Sequence, residues 1–253
     1  MFTLFRYVTS KGDPRMSQCS ITGCSGYGAY IKDGGLGCFR GCEFSAQELS
    51  NVFVETSGNP LFDACRIHDN AGGNNVFFGA KAKGQMMDCH IFQGVNECVV
   101  MKSCAGSILR ACSISKTTVG VRGSDDARGE MFDCTIADVE EACCVFGFRA
   151  DVSLERCKMH SSSKHGMMFA EGTVCKLIDC SVYNCAQCGS PRRHNLVCPH
   201  LPAAGTVSAY RTAATRCCAT HESSTAKLEA CWWTRTARAR LTCATSTTAG
   251  RWV

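Results

Sequence analysis

The sequence predicts an all-β protein, a solenoid of about eight parallel β-helical coils. Eight cysteines recur at separations of 23, 23, 24, 23, 22, 23 and 23 residues, and the residues three before and two after each of them are always apolar. A second apolar run follows roughly ten residues later in most units. A fixed period of this length is typical of one structural unit stacked on copies of itself. The periodic residues, here called the ladder cysteines, are Cys19, Cys42, Cys65, Cys89, Cys112, Cys134, Cys157 and Cys180.

Each ladder cysteine begins a short strand. In Cys65-Arg66-Ile67, as in the other units, the cysteine and the apolar residue two positions later point to one face. The apolar residue three positions before the cysteine, such as Phe62, is predicted to lie across a bend on a strand of its own. Each coil therefore contains two or three short strands.

The second apolar run of each unit is also a predicted strand. Runs such as Ala29–Ile31, Val52–Val54 and Val76–Phe78 are rich in β-branched and aromatic residues and are bounded by Gly, Asn, Asp and Ser. In a parallel β-helix, equivalent residues of successive coils lie about 4.8 Å apart. The ladder cysteines therefore form one interior ladder, and the Ile, Phe and Val residues form another beside it.

The repeat pattern resembles that of the right-handed parallel β-helix proteins of the pectin-lyase-like superfamily. Its short, regular units are similar to those of the carbohydrate-binding and sugar-hydrolase module, and to the repeats of F-box-only ubiquitin-ligase subunits. The resemblance covers roughly residues 15–189. It implies a right-handed coil, but it does not specify an activity, because the group includes lyases, hydrolases, epimerases and purely binding members.

The chain divides into three parts: residues 1–14 as a partial N-terminal coil or lead-in, 15–189 as the β-helix, and 190–253 as a basic tail. All thirteen Phe and all nine Met precede residue 190, and all three Trp follow it. The tail has nine Lys and Arg against two Asp and Glu, which leaves 18 and 20 of the chain totals of 27 and 22 for the rest.

Two interpretations of this tail stay open. It is a basic appendage that binds nucleic acid or acidic partners, or it is out-of-frame sequence, as the abrupt loss of periodicity suggests. Both interpretations predict a disordered segment, because it lacks a coherent apolar pattern.

The chain has 22 cysteines, and the period explains eight of them as small, buried apolar residues. We expect reduced thiols and a cytoplasmic location, since no signal peptide is seen, and we predict no cofactor. We predict no metal site and expect Cys180 and Cys185 to belong to the core. The alternative is a metal site at Cys180, Cys185 and Cys188, because Cys185 and Cys188 have the spacing of half a zinc site.

Candidate catalytic residues are Asp125, Asp126 and Arg149, which lie 13 to 15 residues after a ladder cysteine. Charges at this position change sign from coil to coil, which is typical of a solvated face. A second polar column, directly before the ladder cysteines, is predicted to be the outer face of a strand, with binding of a cation or sugar as the alternative. For a glycan-binding surface, the visible outward aromatic candidates are Phe92 and Tyr183.

The units vary by only one residue in length, so no coil carries the long insertions that usually form the walls of a catalytic cleft. This favours a non-catalytic scaffold whose extended surface recognises a protein segment. The alternative is a polysaccharide-binding or polysaccharide-processing β-helix, which would be a pectate-lyase-like or polygalacturonase-like lyase, hydrolase or epimerase. The expected partner is an extended protein segment or a glycan chain. We expect no membrane partner, do not favour nucleic acid, and leave the oligomeric state open.

Overall fold

A computed structural model describes residues 6–103, 105–170 and 172–186 of the chain. The predicted tail 190–253 and Cys188 lie outside the described residues. The described part contains 22 strands and no helix. It therefore has no helix long and apolar enough to cross a membrane.

Three rows of strands wind around one core, and the strands of each row pair in parallel. The first face carries the residues that precede the ladder cysteines. Its strands are β2 (Arg15–Ser17), β5 (Cys38–Arg40), β8 (Leu61–Asp63), β11 (Gln85–Met87), β14 (Ile108–Arg110), β16 (Arg128–Phe132), β18 (Asp151–Glu155) and β21 (Val174–Ile178).

The second face follows the ladder cysteines, and the third face carries the second apolar run. Second-face strands are β3 (Ser20–Thr22), β6 (Glu43–Ser45), β9 (Arg66–His68), β12 (His90–Phe92), β19 (Lys158–Ser162) and β22 (Ser181–Tyr183). Third-face strands are β1 (Arg6–Val8), β4 (Ala29–Ile31), β7 (Val52–Val54), β10 (Val76–Phe78), β13 (Glu97–Met101) and β20 (His165–Phe169). Two long strands, β15 (Ser113–Gly123) and β17 (Thr135–Phe146), run through both faces. The predicted parallel β-helix of eight coils is thus confirmed, with three strands per complete coil.

The interior is built from stacked equivalents. Phe39 and Phe62 of neighbouring first-face strands are fully buried, and their rings stack at 4.8 Å. Six ladder cysteines are buried, whereas Cys19 and Cys180, in the first and last coils, are half-buried. The fifteen cysteines of the described residues are all free thiols. Because burial disfavours the thiolate, it raises the pKa of Cys42.

The thiol of each buried ladder cysteine contacts a backbone carbonyl at a turn of the coil. The Cys65 thiol donates to the carbonyl of Phe39 in the preceding coil at 3.3 Å and lies 3.5 Å from the carbonyl of Asp63. The same two contacts, to the residue two positions earlier and to the preceding coil, recur at Cys112. A small side chain with a weak donor therefore fits this position.

The corners of the coil depend on left-handed backbone conformations. A positive φ occurs directly before every ladder cysteine and again four residues after every one of them. The first set is Gln18, Gly41, Ala64, Asp88, Ala111, Asp133, Arg156 and Asp179. The expectation that this column forms the outer face of a strand was wrong, because these residues lie at the bend between two strands. Asp is tolerated in this conformation, whereas Ala and Arg are strained there.

Buried amides and thiols at the corner between the second and third faces were not predicted. The Asn51 amide donates to the carbonyl of His68 at 2.8 Å, and the Asn75 amide donates to the carbonyl of Phe92 at 2.9 Å. In later coils Cys98 and Cys143 occupy the equivalent position, and their thiols lie 3.9 Å from the carbonyl of Ser115 and 3.8 Å from the carbonyl of His160. These two cysteines therefore take the place of the amides beside the corner carbonyls.

The strained corner alanines give a stability prediction. Replacing Ala111 with Gly removes the Cβ from a positive-φ position, so we expect the free energy of unfolding to rise by about 1 kcal/mol. The matched control is Ala71→Gly, at an exposed alanine whose φ is not positive. This control should lower the free energy of unfolding by about 0.5–1 kcal/mol. Thermal and denaturant unfolding of both variants measure the difference, and equal effects would contradict the strained corner.

Candidate recognition surface

An apolar column runs along the outside of the third face. In the three-residue strands of the third face the central residue points outward, while its neighbours, such as Val52 and Val54, are fully buried. The central residues pair in register from strand to strand. The column, here called the outer stripe, consists of Tyr7, Tyr30, Phe53, Phe77, Val100, Arg122, Val145 and Met168. Seven of these eight side chains are apolar and the exception is Arg122, whereas Val100 is buried at 2 % exposure.

The first four side chains of the outer stripe form a continuous aromatic array. Tyr7 and Tyr30 meet edge to face at 5.2 Å, Tyr30 and Phe53 do so at 5.4 Å, and Phe53 stacks on Phe77 at 4.8 Å. Tyr27, from the preceding corner, packs against Phe53 at 4.6 Å. Such pairs contribute about 0.5–1.5 kcal/mol each beyond their buried area, so the rings hold one another in place. The stripe is most open at its end, where Tyr7 is 47 % exposed.

Polar groups line the edge of the outer stripe. The Lys32 ammonium lies 5.3 Å from the centre of the Tyr7 ring, and the Tyr30 hydroxyl donates to the Glu55 carboxylate. Burial, together with the hydrogen bond to Glu55, raises the pKa of Tyr30 to about 12. Its phenol therefore stays neutral at physiological pH although charged groups of both signs flank it.

The structure brings two of the three catalytic candidates together. Asp125 and Asp126 lie at the corner after the third face with φ of 56° and 62°, a conformation that Asp tolerates better than most residues. Arg149, one coil later, donates to both carboxylate oxygens of Asp126 at 2.8 and 2.7 Å, and this bond holds the pKa of Asp126 below its usual value. Asp125 is exposed and accepts a hydrogen bond from Ser124. The three residues thus form a corner ion pair and a neighbouring carboxylate.

The cysteine candidates for metal binding are only partly described. The Cys180 thiol lies 3.5 Å from the carbonyl of Leu154, and the buried Cys185 thiol lies 3.5 Å from the carbonyl of Tyr183. Cys188 lies outside the described residues. Within the described ranges, no three His, Cys, Asp or Glu side chains are grouped to hold a metal ion. The described residues therefore leave the alternative of a metal site at these three cysteines untested.

The two outward aromatics predicted from the sequence lie on the second face, away from the outer stripe. Phe92 stacks on His68 at 4.6 Å, and Tyr183 stacks on His160 at 4.8 Å. The His68 ring lies between two carboxylates, with Nδ1 2.7 Å from Asp69 and Nε2 3.0 Å from Glu43. These rings form isolated pairs rather than a continuous surface.

A comparison with models of protein families identifies the family to which these coils belong. The model of the right-handed β-helix region matches residues 7–115 and 80–191, which together cover more than half of the chain. The chain belongs to the right-handed β-helix family. No curated protein matches this member of the family.

Two solved structures share the fold of this β-helix protein. It is similar to pectate lyase Pel9A with a TM-score of 0.55 and 9 % sequence identity, over 64 % of this chain and 49 % of that one. It is similar to the periplasmic alginate epimerase AlgG with a TM-score of 0.59 and 6 % identity, over 63 % of this chain and 43 % of that one. The chain therefore spans about half the length of these proteins or less. At these identities the likeness concerns the fold alone.

The outer stripe was missed from the sequence although the signal was present. The runs Ala29–Ile31, Val52–Val54 and Val76–Phe78 read as apolar throughout, so all three residues of each run were assigned to strands without regard to direction. Alternation along a strand forces the central residue of a three-residue run to the opposite face from its neighbours. Aligning the three runs with one another would have shown Tyr30, Phe53 and Phe77 in one outward column.

The corner ion pair predicts a dependence of stability on pH. Because Arg149 lowers the pKa of Asp126 in the folded state, the stabilisation is present above about pH 4 and is lost as the pH falls through the folded pKa. We expect Asp126→Asn to lower the melting temperature near pH 7 and to match the wild type near pH 2. The control, Asp125→Asn, has no cross-coil cation to lose and should show no such convergence. A pH-independent effect of Asp126→Asn would contradict the pair.

Proposed function

We propose that the chain is a non-catalytic recognition scaffold that binds an extended, apolar protein segment along the outer stripe. The observation that carries this proposal is the column of registered side chains on successive coils, which is outward and aromatic from Tyr7 to Phe77 and continues through the buried Val100 and the charged Arg122 to Met168. Seven intervals of about 4.8 Å give a length of about 34 Å, which matches roughly ten residues of extended chain.

The composition and rigidity of the outer stripe support this proposal. Protein interfaces combine an apolar centre with a polar rim and are enriched in Tyr and Arg, and the stripe has tyrosines beside Lys32, Glu55 and the ion pair of Arg122 with Glu97. Its rings already pack against one another, so little side-chain freedom is lost when a partner binds. We propose a reducing, cytoplasmic setting for this interaction, in which the free thiols of the described residues stay reduced.

The polysaccharide-processing alternative is supported by the fold that the chain shares with a pectate lyase and an alginate epimerase. The hydrogen bonds of the catalytic candidate Asp126 favour the non-catalytic proposal instead. Both carboxylate oxygens of Asp126 are engaged by Arg149 on the surface, and a general acid or base needs a free position directed at its substrate.

Selection of a peptide library on the full-length chain tests the proposed function. We expect enrichment of twelve-residue peptides with large apolar side chains, and a loss of their binding of at least about tenfold in Phe53→Ser and Phe77→Ser, because truncation of a buried aromatic anchor costs about 2 kcal/mol. The control is Phe92→Ser, which removes an equally stacked outward ring from the second face. Peptides that bind both stripe variants as well as the wild type, or a library without enrichment, would overturn the proposal.

Lyase activity is a separate test of the non-catalytic role. We expect that the chain forms no unsaturated product from polygalacturonate or alginate, as measured by ultraviolet absorbance. Activity that is present in the wild type and disappears in Asp126→Ala or Asp125→Ala would establish the enzymatic alternative instead.

A further inference from the structure

The inner strands beneath the outer stripe use their backbone groups to pair with neighbouring coils. Strand β7 (Val52–Val54), for example, pairs in parallel with β4 of the preceding coil and with β10 of the next one. A segment that runs along the stripe crosses these strands, so it meets backbone groups that are already paired and cannot add to the sheet as a further strand. The bound segment therefore needs a conformation whose backbone requires no strand partner.

The polyproline II helix is an extended conformation that meets this requirement. Its backbone forms no internal hydrogen bonds and stays solvated, and each proline lacks the N–H group altogether. Surfaces lined by aromatic side chains bind such helices, because the helix is formed before binding and loses little entropy. The outer stripe supplies a run of four contacting rings, here called the ring array, which consists of Tyr7, Tyr30, Phe53 and Phe77.

The period of the polyproline II helix matches the spacing of the ring array. The helix rises about 3.1 Å per residue, so residues i and i+3 lie about 9.3 Å apart on the same side. Rings two coils apart, such as Tyr7 and Phe53, are separated by about 9.6 Å, which is twice the strand spacing of about 4.8 Å. The two-residue repeat of a β-strand, about 6.6–6.8 Å, falls between one coil and two. The three-residue period therefore places both contact residues over rings, whereas the two-residue period does not.

The extent of the ring array sets the length of the contact. Val100, which follows Phe77 in the outer stripe, is buried, so the array ends at Phe77. Its three intervals cover about 14 Å, which corresponds to about four to five residues of polyproline II. This length accommodates one Pro-x-x-Pro unit. Tyr27 lies 4.6 Å from Phe53 and 5.1 Å from Tyr30 between ring centres, and so it widens the surface beneath the second proline.

The charges beside the ring array give it a direction. The Lys32 ammonium lies 5.3 Å from the centre of the Tyr7 ring and 5.8 Å from that of Tyr30. Asp33 is 3.6 Å from this ammonium, but exposed ion pairs of this kind are weak, so Lys32 can also attract a carboxylate of the ligand. On the next coil Glu55 accepts the Tyr30 hydroxyl and would repel an acidic residue. An acidic residue therefore complements the Tyr7 end of the array.

We propose that the outer stripe binds a proline-rich segment in the polyproline II conformation. One proline lies on Tyr7, the proline three residues later lies on Phe53, and an acidic residue beside the first proline lies at Lys32. This inference rests on the proposed function and specifies the class of protein segment that the stripe binds. The prolines fix the ligand before binding and ring contacts fix the protein surface, so both partners lose little conformational freedom.

Fluorescence anisotropy of labelled twelve-residue peptides, titrated with the full-length chain, tests this inference. The first peptide carries an acidic residue followed by two prolines at positions i and i+3. The second has the same composition with the prolines at i and i+2, and the third has leucine in place of both prolines. We expect the first peptide to bind at least about tenfold more tightly than either of the others, because only its prolines reach two rings at once.

Variants of the chain identify the contacts. Tyr7→Ser and Phe53→Ser should each weaken binding of the first peptide by about tenfold or more, because each removes one contact ring. Lys32→Gln should abolish the preference of about twofold to fivefold for the acidic peptide over its glutamine analogue. The control is Phe132→Ser, which removes an outward ring beneath Arg110 on the first face and should leave binding unchanged. Circular dichroism and melting temperature verify each fold, and Phe53→Leu replaces Phe53→Ser if the latter does not fold.

The outcomes separate this inference from the proposed function. If the leucine peptide binds as tightly as the first peptide and loses affinity in Phe53→Ser, the inference is wrong and the proposed function stands. Equal binding of the i+2 and i+3 peptides, or binding of the first peptide that neither Tyr7→Ser nor Phe53→Ser weakens, would also overturn the inference. If none of the three peptides binds at about 1 mM and the peptide library shows no enrichment, both proposals fail.

Discussion

The structure depends on parallel stacking in register, which places every residue directly above its equivalent in the preceding coil. This constraint requires each coil to close after the same number of residues, and the positive-φ corners accomplish the closure. It also requires each interior position to accept a copy of itself about 4.8 Å away. Cysteine meets that requirement at the corner before the second face, because its small thiol packs as an apolar group and still donates to a carbonyl, as Cys65 does to Phe39.

The same constraint governs the outer surface. Equal charges in one column would repel at every step, so Asp126 with Arg149 and Asp133 with Arg156 alternate in sign and close ion pairs. Apolar side chains in one column attract instead, and on the third face they form a continuous array from Tyr7 to Phe77. Whether a face is solvated or is a candidate binding face therefore depends on the type of residue that its column repeats.

The β-helix protein thus presents an ordered apolar surface on a repetitive frame. The outer stripe is aromatic from Tyr7 to Phe77, and its rings are already ordered by contact with one another, which suits an extended protein partner. The likeness to a pectate lyase and an alginate epimerase concerns the frame that carries this surface.

The sequence by itself determined the coil. The spacing of the ladder cysteines and their apolar neighbours predicted the period, the number of coils and the buried ladders, because interior positions tolerate few residue types. Only the tertiary structure decided which side chains contact one another on the outer surface of the coils. A three-residue strand is too short to reveal its alternation, so Tyr30 and Phe53 read as core until the strands were oriented. The partners of Asp126 and Asp133 depended on side-chain geometry at adjacent corners, which spacing along the chain does not specify.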